Sequence, residues 1–324
     1  MMASNNALQP IRVGTRDSRL AMQQTHTVIQ HLGDHALFLK ALFDVLPLKS
    51  IGDIDLNTPL SQLGATVGRF GVFVKELEHA LLANQVDLAV HSLKDMPSIV
   101  PDGLMLLPFG PREDVRDAFI AKDGETSFFD LPYGATIGTS SIRRAAQLKK
   151  LRPDIRTENI RGNVQTRLRK LHEGDYDGMI LAAAGLNRLG LSDLITHTFC
   201  PVTQLVPAVG QGVLGLETRM DAPFSEALKQ VCDDAELKAC VTLERAIMRE
   251  LEGGCQLPLG CYARIENGEL HLTLQLIAPD LSIEVNHSEI VEDWRDSDHL
   301  IHRASIISHD VLTNGGQAIK NMLM

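Results

Sequence analysis

Aromatic side chains are scarce. Phe, Tyr and Trp make up 4% of the 324 residues, with a single Trp. Aliphatic side chains must therefore fill the cores, and a ring-stacking platform for single-stranded nucleic acid is disfavoured. Excess positive charge is also lacking. The net charge of −10 argues against a surface that grips phosphate throughout. No apolar run approaches the ~18 residues of a membrane-spanning helix. The amino terminus has neither the basic start nor the apolar stretch of a signal peptide. Five cysteines without a C-x-x-C pair fit neither a disulfide scaffold nor a zinc finger. What is present, 44% hydrophobic residues, is ordinary globular composition. The expectation is a soluble, cytoplasmic chain of two or three domains.

The acidity is uneven. Between Leu131 and Lys170 stand ten basic residues, opposed only by Asp154 and Glu158. That stretch carries +8 and the remainder −18. A solvated basic face is the plain reading. Seven of the ten are Arg, however, the side chain suited to bidentate recognition of carboxylate or phosphate. Gly138-Thr139-Ser140-Ser141-Ile142-Arg143-Arg144 follows a strand-like piece and opens a helix that Thr139 or Ser140 can cap. Arg143 and Arg144 oppose the macrodipole there unless a negative ligand is present. Arg161-Gly162-Asn163-Val164-Gln165-Thr166-Arg167-Leu168 repeats the design. Val164, Leu168 and Leu171 form its inward stripe, which Arg167 flanks while Arg169 and Lys170 point away. Arg161 and Arg167 are thus pocket candidates. Two helix starts with arginines imply a cleft for a ligand bearing several negative groups.

Strands and helices alternate from Ile11 to Glu217, which implies α/β layers with largely parallel sheets. Near Pro223 the character changes. A helix over about Asp234–Leu251 places Leu237, Cys240, Val241, Ile247, Met248 and Leu251 on one stripe. Alternating strands and a last helix follow, as in a small α+β domain. The loop Gly52–Gly71 is long, polar and glycine-rich, and reads as a lid over the Arg-rich cleft or as disorder. Linkers are expected near Gly110–Val115, Thr203–Gln211 and Asp221–Ser225.

Two places carry candidate chemistry. His91-Ser92-Leu93-Lys94-Asp95-Met96-Pro97 ends a buried strand, where α/β folds bind ligands. Asp95 either terminates that strand or serves as a carboxylate kept ionised by nearby cations, suited to stabilising a cationic intermediate or relaying protons. Glu252-Gly253-Gly254-Cys255-Gln256-Leu257-Pro258 puts Cys255 on a tight loop after a helix. It is either one more small apolar residue or a covalent attachment point. Cys200, Cys232 and Cys240 read as structural. No protease-like triad, Walker sequence or dinucleotide fingerprint is present, and no metal site is expected.

These stretches resemble the porphobilinogen deaminase (hydroxymethylbilane synthase) family from Ile11 to about Gly316. The match also runs through Gly-Thr-Arg-Asp-Ser from Gly14, Val-Lys-Glu-Leu-Glu from Val74 and Arg-Glu-Asp-Val-Arg-Asp-Ala-Phe from Arg112, and through Pro-Ala-Val-Gly-Gln-Gly from Pro207. The resemblance implies two periplasmic-binding-protein-like α/β domains around a cleft plus a smaller C-terminal α+β domain. Its boundaries are 1–112 with 207–232, then 113–206, then 233–324. It implies a monomeric transferase of tetrapyrrole biosynthesis that joins four porphobilinogens head to tail, releasing ammonia, into hydroxymethylbilane. Each pyrrole bears an acetate and a propionate. By resemblance, Cys255 holds a dipyrromethane primer through a thioether, built from the substrate itself. Lys94, Arg143, Arg144, Thr139 and Ser141 bind that cofactor. Arg16, Ser18, Arg161, Arg167 and Arg188 bind substrate carboxylates, and Asp95 is catalytic.

The sequence departs from the family in the lid. Val67-Gly68-Arg69-Phe70-Gly71-Val72-Phe73 stands where the family has a Gly-Gly-Lys-Gly-Leu-Phe type segment, about four residues longer near Gly64–Val67. Phe70 takes the family lysine's place unless Arg69 assumes its role. Arg19 and Gln23 replace a usual proline and a usual aromatic. Two rivals to the enzyme are a paralogue that loads pyrroles without turnover and a two-domain anion-binding receptor.

Overall fold

The computed structural model describes residues 9–48, 74–251 and 257–323. The lid stretch Gly52–Gly71, the altered segment up to Phe73, and Cys255 lie outside the described residues.

The first sheet is built from β1 (Ile11–Arg16), β2 (Phe43–Leu48), β3 (Leu88–Ser92), β4 (Leu104–Phe109) and a late strand, Leu214–Arg219. Helix α1 (Arg19–Asp34) joins β1 to β2, and α2 (Lys75–Leu82) precedes β3. Ser18 caps α1, its hydroxyl accepting from the Ala21 amide at 3.2 Å. Val13, Leu88, Val90, Leu214 and Leu216 pack against Val28 and Leu32 of α1.

The second sheet holds β5 (Asp117–Ala121), β6 (Thr136–Gly138), β7 (Arg156–Glu158), β8 (Gly178–Ala182) and β9 (His197–Thr198). Its helices are α3 (Ile142–Leu151), α4 (Val164–Glu173) and α5 (Ala183–Arg188). Both faces are covered, which explains the unbroken apolar runs of β5 and β8. Phe119, Ala121 and Ile180 join one core, while Ala118, Ile120, Met179 and Leu181 join the other. Each sheet is mixed rather than simply parallel. The late strand β10 (Leu214–Arg219) lies antiparallel between β3 and β4, and β5 lies antiparallel between β8 and β9. The reversed strands follow the two passages of the chain between the sheets.

Beyond β10 come α6 (Ser225–Val231) and α7 (Ala235–Glu250). The antiparallel sheet β11 (Leu259–Glu266), β12 (Glu269–Ile277), β13 (Glu284–Val291) follows, then α8 (Ser297–Val311) and α9 (Gln317–Met322). The expected single apolar stripe on α7 divides in two. Cys240, Ile247 and Leu251 pack into the third sheet's core, whereas Leu237 and Val241 pack against Leu93, Met96 and Val213 of the first. A helix buried on two sides shows one merged stripe in sequence, so periodicity alone does not separate its neighbours.

Candidate active site

Strand direction brings the candidates to one edge. β1 and β3 run parallel and end at Arg16 and Ser92, so Arg16, Ser18 and the one-turn helix Leu93–Asp95 share the carboxyl edge of the first sheet. β6 and β7 are parallel with Gly138 beside Glu158, so α3 and α4 begin together at the carboxyl edge of the second. The two edges approach each other. Leu20 of α1 lies 3.5 Å from where a Cβ on Gly185 of α5 would sit.

The cap of α3 differs from expectation. Ser141 accepts from the Arg144 amide at 3.4 Å, while the Thr139 hydroxyl accepts from the Ser141 amide at 3.2 Å and Ser140 donates to the Ile160 carbonyl. Three consecutive hydroxyl residues look alike in sequence, and only the point where the backbone turns helical selects the cap. Asn163 caps α4.

The negative partner expected for Arg143 and Arg144 belongs partly to the protein. Asp117, fully buried at the start of β5, sits 2.8 Å from Nη1 of Arg143 and 2.7 Å from Nη2 of Arg144. Sequence reading missed it because a lone Asp before an apolar run carries no signal of its long-range partners. Burial opposes the Asp117 charge, but the two guanidinium groups outweigh that and hold its carboxyl well below the usual range. Other members of the basic stretch are also engaged. Arg152 pairs with Asp154, Lys150 with Glu284, and exposed Arg169 with Glu173.

Cationic side chains from both sheets nonetheless gather around Asp95. Burial, then repulsion from Arg144, pushes the Lys94 ammonium down to about 8 despite attraction from Asp95 and Asp117. Burial and Arg144 likewise push Arg167 down to about 10; Asp95 pulls the other way, and Arg161 and Arg16 add repulsion. Arg16 and Arg167 come from different sheets, so the cationic cluster spans both. Arg167 donates through Nε to the Gly162 carbonyl at 2.7 Å. Arg188 stands further back, at the passage between sheets. Its Nη2 donates to the Gly212 carbonyl at 2.7 Å; burial lowers its pKa and Glu113 partly offsets this. Buried cations drawn together from both sheets suit an anionic ligand. The donor set therefore fits a polycarboxylate cofactor and substrate.

Among the described residues, no cluster of three or more His, Cys, Asp or Glu could hold a metal ion, and no helix is long and apolar enough to cross a membrane.

Residues 11–226 match the model of the porphobilinogen deaminase dipyromethane cofactor binding domain, and residues 238–303 match that of the porphobilinogen deaminase C-terminal domain. A protein of Chlorobium luteolum named porphobilinogen deaminase is 41% identical over 308 residues, covering 95% of this chain and 96% of that relative. One of Bacillus thuringiensis with the same name is 45% identical over 287 residues, 88% of this chain and 91% of the relative. A solved probable amino-acid ABC transporter extracellular-binding protein from Bacillus subtilis aligns at 14% identity and TM-score 0.40, over 71% of this chain and 94% of its own. With two family models and relatives along nearly its whole length, the chain belongs to the porphobilinogen deaminase family.

Proposed function

We propose that this chain condenses four porphobilinogen molecules head to tail, releasing one ammonia at each addition, and that one water then cleaves the tetrapyrrole from the primer to give hydroxymethylbilane its hydroxyl. The observation that carries the reading is the gathering of cationic side chains from both sheets around Asp95. A chain of pyrroles, each with two carboxylates, is the anionic ligand such a gathering suits. Lys94, Arg143 and Arg144 hold the carboxylates of the dipyrromethane, with Thr139 and Ser141 at the helix start. Arg16, Ser18, Arg161, Arg167 and Arg188 hold those of the substrate. The cofactor, carried on Cys255, supplies the primer from which the chain is extended. Asp95 sets its carboxylate beside the pyrrole that becomes cationic as ammonia leaves, and takes the proton that the attacked ring carbon gives up as the new carbon–carbon bond forms. The parts divide as 1–112 with 207–232, 113–206, and 233–324, in a cytoplasmic monomer.

Intact mass of freshly purified protein tests this directly. The expected result is an adduct of two pyrrole units that Cys255→Ser abolishes. An unmodified thiol in the native chain overturns the cofactor assignment. Asp95→Ala is expected to retain the fold and lose nearly all turnover of porphobilinogen, and near-normal activity removes Asp95 from its role.

A further inference from the structure

Asp117 is placed to do more than neutralise a neighbour. Its Oδ1 accepts from Nε of Arg144 at 3.0 Å, from Nη2 of the same residue at 2.7 Å, and from Nε2 of Gln211 at 3.0 Å. Its Oδ2 is 2.8 Å from Nη1 of Arg143. Backbone carbonyls complete the hold, since Arg143 donates to Val206 at 2.7 Å and Arg144 to Ile180 at 3.3 Å. Asp117 opens β5 just after the first passage between the sheets. Gln211 lies on the return passage and also donates to the Val115 carbonyl at 2.7 Å. One carboxylate thus aligns two guanidinium forks and cancels one of their two charges, with the Lys94 charge also close by.

We infer that Asp117 is the positioning residue that sets how strongly the arginine pair grips the growing polycarboxylate, strong enough to retain it and weak enough to release it. The inference rests on the proposed function. A buried guanidinium deprived of its counter-charge takes compensation from whatever anion is at hand. Removing the Asp117 charge while keeping its shape therefore tightens the grip on ligand carboxylates. Loss of a merely structural prop misaligns the forks and loosens it. The two roles differ in sign.

The test compares the holoenzyme with Asp117→Asn and Asp117→Glu by steady-state kinetics and by intact mass after limiting porphobilinogen. A two-pyrrole adduct on the unsubstituted protein checks the underlying reading separately; its absence defeats that reading, not this one. In D117N we expect kcat to fall at least about tenfold, as heavier undischarged species accumulate. Added salt should speed their release. D117E keeps the charge and should show the unsubstituted mass distribution. A D117N mass distribution without heavy species, or a D117E distribution like that of D117N, overturns the inference.

Discussion

Lys94 adjoins Asp95 in the one-turn helix after β3, and its ammonium, pushed down to about 8 by burial and by Arg144, titrates within the working range of an enzyme. Below that value it is charged and adds to the grip on carboxylates; as pH rises through it, the charge is lost. The rate at which apoenzyme loads the dipyrromethane should therefore fall about fivefold to tenfold between pH 7 and 9, and Lys94→Met should flatten that fall. A loading rate as pH-dependent in the variant as in the parent removes Lys94 from carboxylate binding. The residues alone left Asp95 between a strand end and a carboxylate kept ionised by nearby cations, and the family resemblance supplied the role of Lys94. Asp117 was not legible in sequence, since its meaning lies wholly in partners 26 and 27 positions away, Arg143 and Arg144.

At the scale of elements, the strands around the site carry a second buried set of charges. His91 of β3 lies 3.0 Å from Glu217 of β10, and both are buried. Glu78 of α2 faces them, held at about 7 by burial and then by Glu217, while His91 and Lys75 pull it lower. In the folded chain Glu78 stays protonated to about pH 7, against 4.5 for its ordinary value. Its contribution to stability is fully present below 4.5 and is lost as pH rises through 7. Glu78→Gln keeps the neutral shape and should match the parent in urea unfolding at pH 5, yet exceed it by about 1–3 kcal/mol at pH 8. Equal midpoint shifts at both values refute that account. Element bounds themselves were well legible. The helix expected over about Asp234–Leu251 is α7, which starts at its Asp234 cap. Sheet direction was less so, because the reversed β10 returns to the first sheet through contacts that no local pattern encodes.

For the whole molecule, the joint between sheets and third unit is an ion pair. Glu244 of α7, fully buried, accepts from Nη1 of Arg112 at 2.7 Å and from the amides of Gly210 and Ala263 at 2.7 and 2.9 Å. Arg112 in turn donates to the carbonyls of Gln211 and Ala263. Both passages between the sheets are thereby tied to α7 and β11. Gly212 adjoins this knot with φ of +88°, and a Cβ there would meet the Glu113 carbonyl oxygen at 2.3 Å, so no other residue fits. Glu244→Ala leaves the Arg112 charge buried without its partner, and we expect it to destabilise the chain by about 3–5 kcal/mol in chemical denaturation. A loss under about 1 kcal/mol would show the joint to be held by apolar packing instead.

Composition, the order of strands and helices, and the linear motifs around Asp95, Arg143 and Cys255 were enough to reach the fold class and the family. Such features depend on neighbours a few positions apart, and periodicity records them. Which hydroxyl caps α3, how α7 divides between two cores, and which arginines already have a partner emerged only once distant segments met. Charge compensation and packing are pairwise across space, and a chain written in one dimension does not state its pairs.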